Sequence, residues 1–148
     1  MAENGKIVQI LGSVVDVEFP AGSLPQLYND IIVERDVFRG FEEGKLPEHV
    51  KYLHMEVQSE LGNNRVRCLA MGSTDGLRRG TPVRDTGAAI SVPVGRSTLG
   101  RMFNVLGEPI DGGGPIEVTK RMPILRTAPP LAEQEPTTTV RETGIKVV

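Results

Sequence analysis

Between Lys6 and Asp85 the chain repeats one local pattern: a short run with apolar residues at alternate positions, cut off by glycine, proline or asparagine. Val14–Phe19 shows it most cleanly. Val15, Val17 and Phe19 share one face of an extended backbone, Asp16 and Glu18 take the other behind a leading Val14, and Pro20 ends the run. The same reading gives strands over Lys6–Leu11, Asp30–Arg35, Tyr52–Leu61, Arg65–Met71 and Pro82–Asp85. In the fourth, Leu53, Met55 and Val57 point inward while His54, Glu56 and Gln58 point outward; in the fifth, Val66, Cys68 and Ala70 mark the inner side. Gly62-Asn63-Asn64 turns between those two, and Ser73–Gly76 makes a turn or a single helical turn. Five or six short strands with glycine-rich turns predict a small closed or Greek-key barrel, because closure leaves no strand edge unpaired. Val37–Val50 is glycine- and charge-rich and reads as a surface loop.

Past Asp85 the period changes. Ser91–Val94 alternates as a short strand and Gly95 breaks it. Leu99, Met102, Phe103 and Leu106 then fall at i, i+3, i+4 and i+7, the spacing of one helix face. That spacing predicts an amphipathic helix of about ten residues, capped by Ser97 or Thr98 and stopped by Gly107 and Pro109. Its four apolar side chains need cover, so the chain is expected to self-associate, or to recruit a partner, through that stripe. Six of the eleven prolines lie from Pro109 onward, where apolar periodicity fades. The expected division is a barrel over residues 1–85 and an incomplete second unit over 86–148. Thr143–Val148 reads as the first turns of a helix too short to stand alone.

Composition narrows the function. Seventeen basic and nineteen acidic residues give a formal net charge of −2, with 4% aromatic residues, so neither a basic nucleic-acid face nor a base-stacking platform is expected. The single cysteine, Cys68, excludes an internal disulfide framework and fits a reducing compartment. On an inward strand position it reads as a small apolar residue rather than a reactive thiol. No apolar run reaches the length of a membrane span, and MAENGK carries neither a hydrophobic signal region nor an arginine-rich presequence. The expected location is therefore a bacterial or organelle interior, with any membrane contact indirect.

The chemistry-bearing residues give no constellation. A Gly-x-x-x-x-Gly-Lys-Ser/Thr loop, whose amides would cradle phosphates, is missing from the sequence. Gly112-Gly113-Gly114 precedes Pro115 rather than a helix and reads as a flexible turn. Asp85-Thr86-Gly87-Ala88 has the form of an aspartic-protease motif, but Arg84 stands where an apolar floor is needed; strand-end turn chemistry explains it as well. His49 and His54 lack metal-ligand neighbours and read as solvated. Ser97 has no His/Asp framework, and Glu133, Glu135 and Glu142 form a solvated acidic run. No catalytic, cofactor-binding or metal-binding residue is expected.

Several runs carry a family likeness. Gly5–Pro20 (GKIVQILGSVVDVEFP), Met71–Leu77 (MGSTDGL) with Arg79-Gly80, Ser91–Gly114 (SVPVGRSTLGRMFNVLGEPIDGGG) and Glu142–Val148 (ETGIKVV) resemble the N-terminal portion of the F-type ATP synthase beta subunit. The resemblance covers nearly the whole chain and is weakest over Val37–Val50. Alpha, flagellar and vacuolar relatives share the VPVG-to-PID pattern loosely, whereas MGSTDGL favours beta. The implied fold is mainly β: a small closed six-stranded barrel followed by the incomplete start of an α/β P-loop nucleotide-binding domain. The implied role is to hold alternating alpha and beta subunits in a hexameric ring around a central rotor stalk. The implied site is a peripheral complex on the cytoplasmic face of a bacterial inner membrane, or an organelle interior. In the family, the phosphate loop and the metal-positioning, water-activating and adenine-stacking residues follow the TGIKVV-like segment. None maps onto a position here, so ATP or ADP and magnesium belong to the parent alone. Two alternatives stay open: a non-catalytic barrel that binds a partner, and a fragment of an alpha or flagellar-type subunit.

Overall fold

The computed structural model describes residues 5–36, 40, 45 and 48–140. Six strands, β1 (Gly5–Leu11), β2 (Val14–Glu18), β3 (Asn29–Glu34), β4 (Tyr52–Gly62), β5 (Arg65–Ala70) and β6 (Pro82–Ala89), close into a barrel in the order β1-β2-β5-β4-β3-β6. Every neighbouring pair is antiparallel. The expected barrel is therefore present, mainly β and six-stranded, and each strand begins within one residue of its expected start. β6 differs at its far end. It runs past Asp85 to Ala89, so the expected strand end, and the division at residue 85, fall inside a strand. The extension carries a bulge: Asn29 pairs with Ala89 and Ile31 with Asp85, leaving Thr86, Gly87 and Ala88 unmatched.

Alternation fills the interior as the sequence implies. Ile7, Val15, Val17, Ile31, Val33, Met55, Val57, Val66 and Cys68 are fully buried, with Phe19, Leu53 and Val83 nearly so. Each aliphatic side chain of this kind contributes roughly 1.5–3 kcal/mol on leaving water, which makes the barrel interior the main source of stability. Two local devices set the register. Asn63 and Asn64 both have positive φ (51° and 59°), so the β4–β5 hairpin turns through a two-residue loop that asparagine tolerates. Gly5 lets β1 pass close to β2: a Cβ there would stand 2.9 Å from the Phe19 ring.

Among the described residues closure is thinnest between β1 and β6, where only Gly5–Val83 and Lys6–Pro82 pair. Backbone bonds from Ile7 N to Thr81 O (3.0 Å) and from Gly80 N to Ile7 O (2.7 Å) extend that seam. Buried Arg35, just past β3, donates from Nε to the Val50 carbonyl and from Nη1 to the Ser73 carbonyl, both at 2.6 Å. It thus ties the short turn α1 (Glu48–Lys51) and the Ser73 turn to the barrel. Most of the expected Val37–Val50 loop, and the Thr143–Val148 stub, lie outside the described residues.

The expected helix over Leu99–Leu106 is not formed. Arg96–Thr98 makes one 3-10 turn, and Leu99 leaves it in extended conformation (ψ 135°). The chain then folds back on itself: Phe103 pairs with Pro109, Asn104 N donates to Glu108 O (2.9 Å) and Ile110 N to Met102 O (2.9 Å). The reason is local chemistry. Gly100 takes φ +72°, and the Asn104 side chain accepts from both Leu106 N (3.0 Å) and Glu108 N (2.9 Å), offering the backbone a turn in place of a helix. Thr98 bonds back to the Gly95 carbonyl (2.7 Å), and Ser97 caps nothing. Gly107 does adopt positive φ (76°), but as the hairpin's corner rather than a helix end. A short ladder, β7 (Ser91–Pro93) with β8 (Arg121–Pro123), backs this hairpin.

Candidate functional site

The candidate catalytic residues do not converge. Cys68 is wholly buried; burial first, then the charges of Asp16 and Asp85, pushes its thiol up to about 12, so it carries no thiolate near neutrality. Asp85 sits at the barrel end on the side of Ile31. It accepts both bonds of the Asn29 amide (3.1 and 3.2 Å) and one from Gly87 N (2.9 Å), and so spends its oxygens on holding the β6 bulge. The turn reading of Asp-Thr-Gly-Ala fits that geometry. Glu133 and Glu135 are exposed, while Glu142 and the His49 side chain lie outside the described residues. No group of three or more potential metal ligands occurs among the described residues.

Two expectations need correction. His54 is not a solvated side chain: its Nδ1 lies 2.8 Å from Asp30 Oδ2, and the pair is 24% and 11% exposed. The cause is register. Asp30 and Ile32 share the outer face of β3, and Ile32 stands directly opposite His54, so the imidazole reaches Asp30 diagonally. The triglycine is not a loose turn either. Asp111 accepts from Arg101 Nε (2.5 Å) and Nη2 (2.9 Å), from Met102 N (3.2 Å) and from Gly113 N (3.0 Å). Arg101 Nη2 also donates to Gly114 O (2.7 Å). Arg101 first, then the Gly113 amide, holds the Asp111 carboxyl well below the usual carboxylate range. The amide that a phosphate nest would need is thus already satisfied.

What the strands do assemble is an ordered outer surface. Across β1-β2-β5, Lys6, Glu18 and Arg65 stand in register, and Glu18 is bound by Arg65 (2.8 Å) and Lys6 (3.3 Å), which draw its carboxyl downward. One row along, Arg67 grips Asp16 in a two-pronged pair at 2.8 and 2.9 Å. Beyond that, Leu11, Val14 and Leu69 form an apolar row, with Leu11 70% exposed. A groove of about 650 Å³ runs beside these rows, lined in part by Val8, Gln9, Arg65 and Arg79. It opens where β1 skips Val8 in its pairing with β2, a bulge that bends the strand. Past Leu69 that row continues to Glu56 and then Asp30, which stand directly across from one another, 8% and 4% exposed. Glu56 Oε1 accepts from Gln58 (2.5 Å), yet Asp30 Oδ1 and Glu56 Oε2 have no hydrogen-bond partner among the described residues. Alternation places Glu56 on the outer face; its burial there depends on cross-strand neighbours that one sequence run does not display.

Among the described residues the barrel presents ordered outer faces to solvent. No helix among the described residues is long and apolar enough to cross a membrane. The family model described as "ATP synthase alpha/beta family, beta-barrel domain" matches residues 7–87, the span of the closed barrel. This chain belongs to the ATP synthase alpha/beta family.

Proposed function

We propose that this chain is the N-terminal portion of the beta subunit of a rotary, proton-translocating F-type ATP synthase, and that its barrel acts in assembly. The barrel side surfaces join it to alternating alpha-type barrels in a hexameric ring around a rotor stalk, and residues beyond β6 lead toward a nucleotide-binding domain. ATP or ADP and magnesium are bound by the parent's downstream domain and not by these 148 residues. The complex sits peripherally on a membrane, on the cytoplasmic side in a bacterium or inside an organelle. The observation that carries this reading is the closed barrel matching the family over residues 7–87. The Met71–Leu77 run supports beta among the family's subunits.

Native mass spectrometry of the chain mixed with a family alpha-type subunit tests it, beside an ATPase assay of the chain alone. Mixed complexes that form at least about tenfold more readily than self-complexes, without ATP turnover, are expected. Failure to bind an alpha-type subunit, or magnesium-dependent turnover by the pure chain, would overturn the reading. Preference for a beta-type partner would instead make it an alpha-type fragment.

A further inference from the structure

The sequence holds two Asp-Gly pairs, Asp75-Gly76 and Asp111-Gly112, and the fold treats them in opposite ways. An aspartyl side chain followed by glycine can close a ring onto its own backbone, because a residue without a Cβ leaves its amide nitrogen open to approach. Both glycines have positive φ, +83° at Gly76 and +72° at Gly112. The carboxyls differ. Asp75 and Gly76 are exposed at the corner of the Thr74–Leu77 turn, which the bond from Leu77 N to Thr74 O closes (3.1 Å). Among the described residues, no hydrogen bond reaches the Asp75 carboxyl and none leaves the Gly76 amide. Asp111 is held on every side. Its Oδ2 accepts from Arg101 Nε and Met102 N, and its Oδ1 from Arg101 Nη2 and Gly113 N. The Gly113 bond turns the carboxyl toward the second amide along the chain and away from that of Gly112. Arg101, and after it the Gly113 amide, keep that carboxyl ionised further into acid than a free aspartate, whereas ring closure needs the neutral acid.

From this we infer that Asp75-Gly76 is a site of spontaneous backbone isomerisation to isoaspartate, and that Arg101 protects Asp111-Gly112 from the same reaction. The chemistry balances with water alone. The Gly76 nitrogen attacks Asp75 Cγ, a C–N bond forms, and the acid's hydroxyl leaves as water with the amide proton. Water then adds to either carbonyl of the cyclic imide and breaks the C–N bond there. Opening at Cγ restores aspartate. Opening at the main-chain carbonyl routes the chain through the side chain, one carbon longer, and turns the former main-chain carbonyl into a free carboxylate. The turn so lengthened is tied to the barrel at three points: Arg35 holds the Ser73 carbonyl, Thr74 Oγ1 donates to the Gly12 carbonyl (2.8 Å), and Leu77 packs against the core. An added main-chain carbon breaks the Thr74–Leu77 bond and strains all three ties.

Incubating the whole 148-residue chain in heavy-oxygen water at about pH 5, where a small share of free aspartate is neutral, labels every ring that opens. Tryptic peptides Cys68–Arg78 and Met102–Lys120 carry the two sites separately, and mass spectrometry of their fragments places the label. Asn4-Gly5, which closes a like ring with loss of ammonia, falls in a third peptide; Asn4 lies outside the described residues. In the folded chain Asp75 should take up label at least about tenfold faster than Asp111. In concentrated urea, where the clamp is gone, the two rates should come within about threefold. Arg101→Ala should raise labelling at Asp111 in the folded chain by about tenfold or more and leave Asp75 unchanged. Asp111 labelled as fast as Asp75 in the folded chain, Asp75 labelled only in urea, the same gap persisting in urea, or an Asp111 rate indifferent to Arg101→Ala would overturn the inference.

Discussion

The barrel and the segment from residue 90 to 140 contain the same kinds of apolar residues and use them in opposite ways. In the barrel, Val15, Val17, Ile31, Val33 and Met55 expose nothing to solvent. In the later segment, Leu99, Leu131 and Val140 are 76%, 84% and 87% exposed, and order comes from hydrogen bonds. Arg101 with Asp111, Asn104 with Glu108 and Arg121 with the Ser91 and Leu106 carbonyls hold its turns together. Hydrogen bonds at exposed positions contribute little net free energy, since water competes for both partners. Closure separates the two regions: a sheet curled on itself covers its own apolar face, whereas a two-stranded ladder has nothing to close on.

Substitutions in matched pairs sharpen that contrast. Ile31→Ala removes a side chain with no solvent contact and should cost about 2–5 kcal/mol in urea unfolding, whereas Leu99→Ala should stay within about 0.5 kcal/mol. Equal effects would mean that the later segment carries a core of its own. Arg67→Ala comes next. It leaves both oxygens of a buried Asp16 unpaired, and a loss of about 1–3 kcal/mol is expected from the same measurement.

Gly107→Ala acts on one hairpin. Its φ of +76° disfavours a side chain, and an added Cβ would collide with Pro93 Cδ. NMR should show the Phe103–Pro109 pairing and the β7–β8 ladder lost while the barrel resonances stay in place. The smallest effect comes from acid. The folded Asp111 carboxyl titrates below its unfolded value, so its contribution is fully present above the unfolded value and is lost as pH falls through the folded one. An NMR pH titration should therefore keep the Asp111 clamp intact through the ordinary carboxylate range and release it only in stronger acid. Release near pH 4 would contradict the paired geometry.

The same division governs what could be read from the sequence. Barrel strands were legible because burial on one face imposes a strict period of two, as Leu53, Met55 and Val57 show against their outward neighbours. The helix expected over Leu99–Leu106 does not form, because the i, i+3, i+4, i+7 spacing counts apolar positions and ignores competitors. Gly100 and Asn104, weak helix formers inside the window, decided the outcome. The surface pairs were not legible at all. Asp16 with Arg67 is separated by 51 residues and His54 with Asp30 by 24, so each exists only once the cross-strand register is known. The bulge at Thr86–Ala88 is hidden for a similar reason: Asp-Thr-Gly signals a turn, and the pairing of Asn29 with Ala89 is what carries β6 beyond it.

Native-state hydrogen exchange on the whole chain compares the two regions in one experiment. If barrel closure supplies the stability, the amides of Val15, Val17 and Val57 exchange only through global unfolding, and those from residue 91 to 140 exchange orders of magnitude faster through local opening. Uniform protection across both regions, or slower exchange in the Ser91–Pro123 ladder than in the barrel, would contradict the claim that the closed barrel is the unit on which this chain's stability and recognition rest.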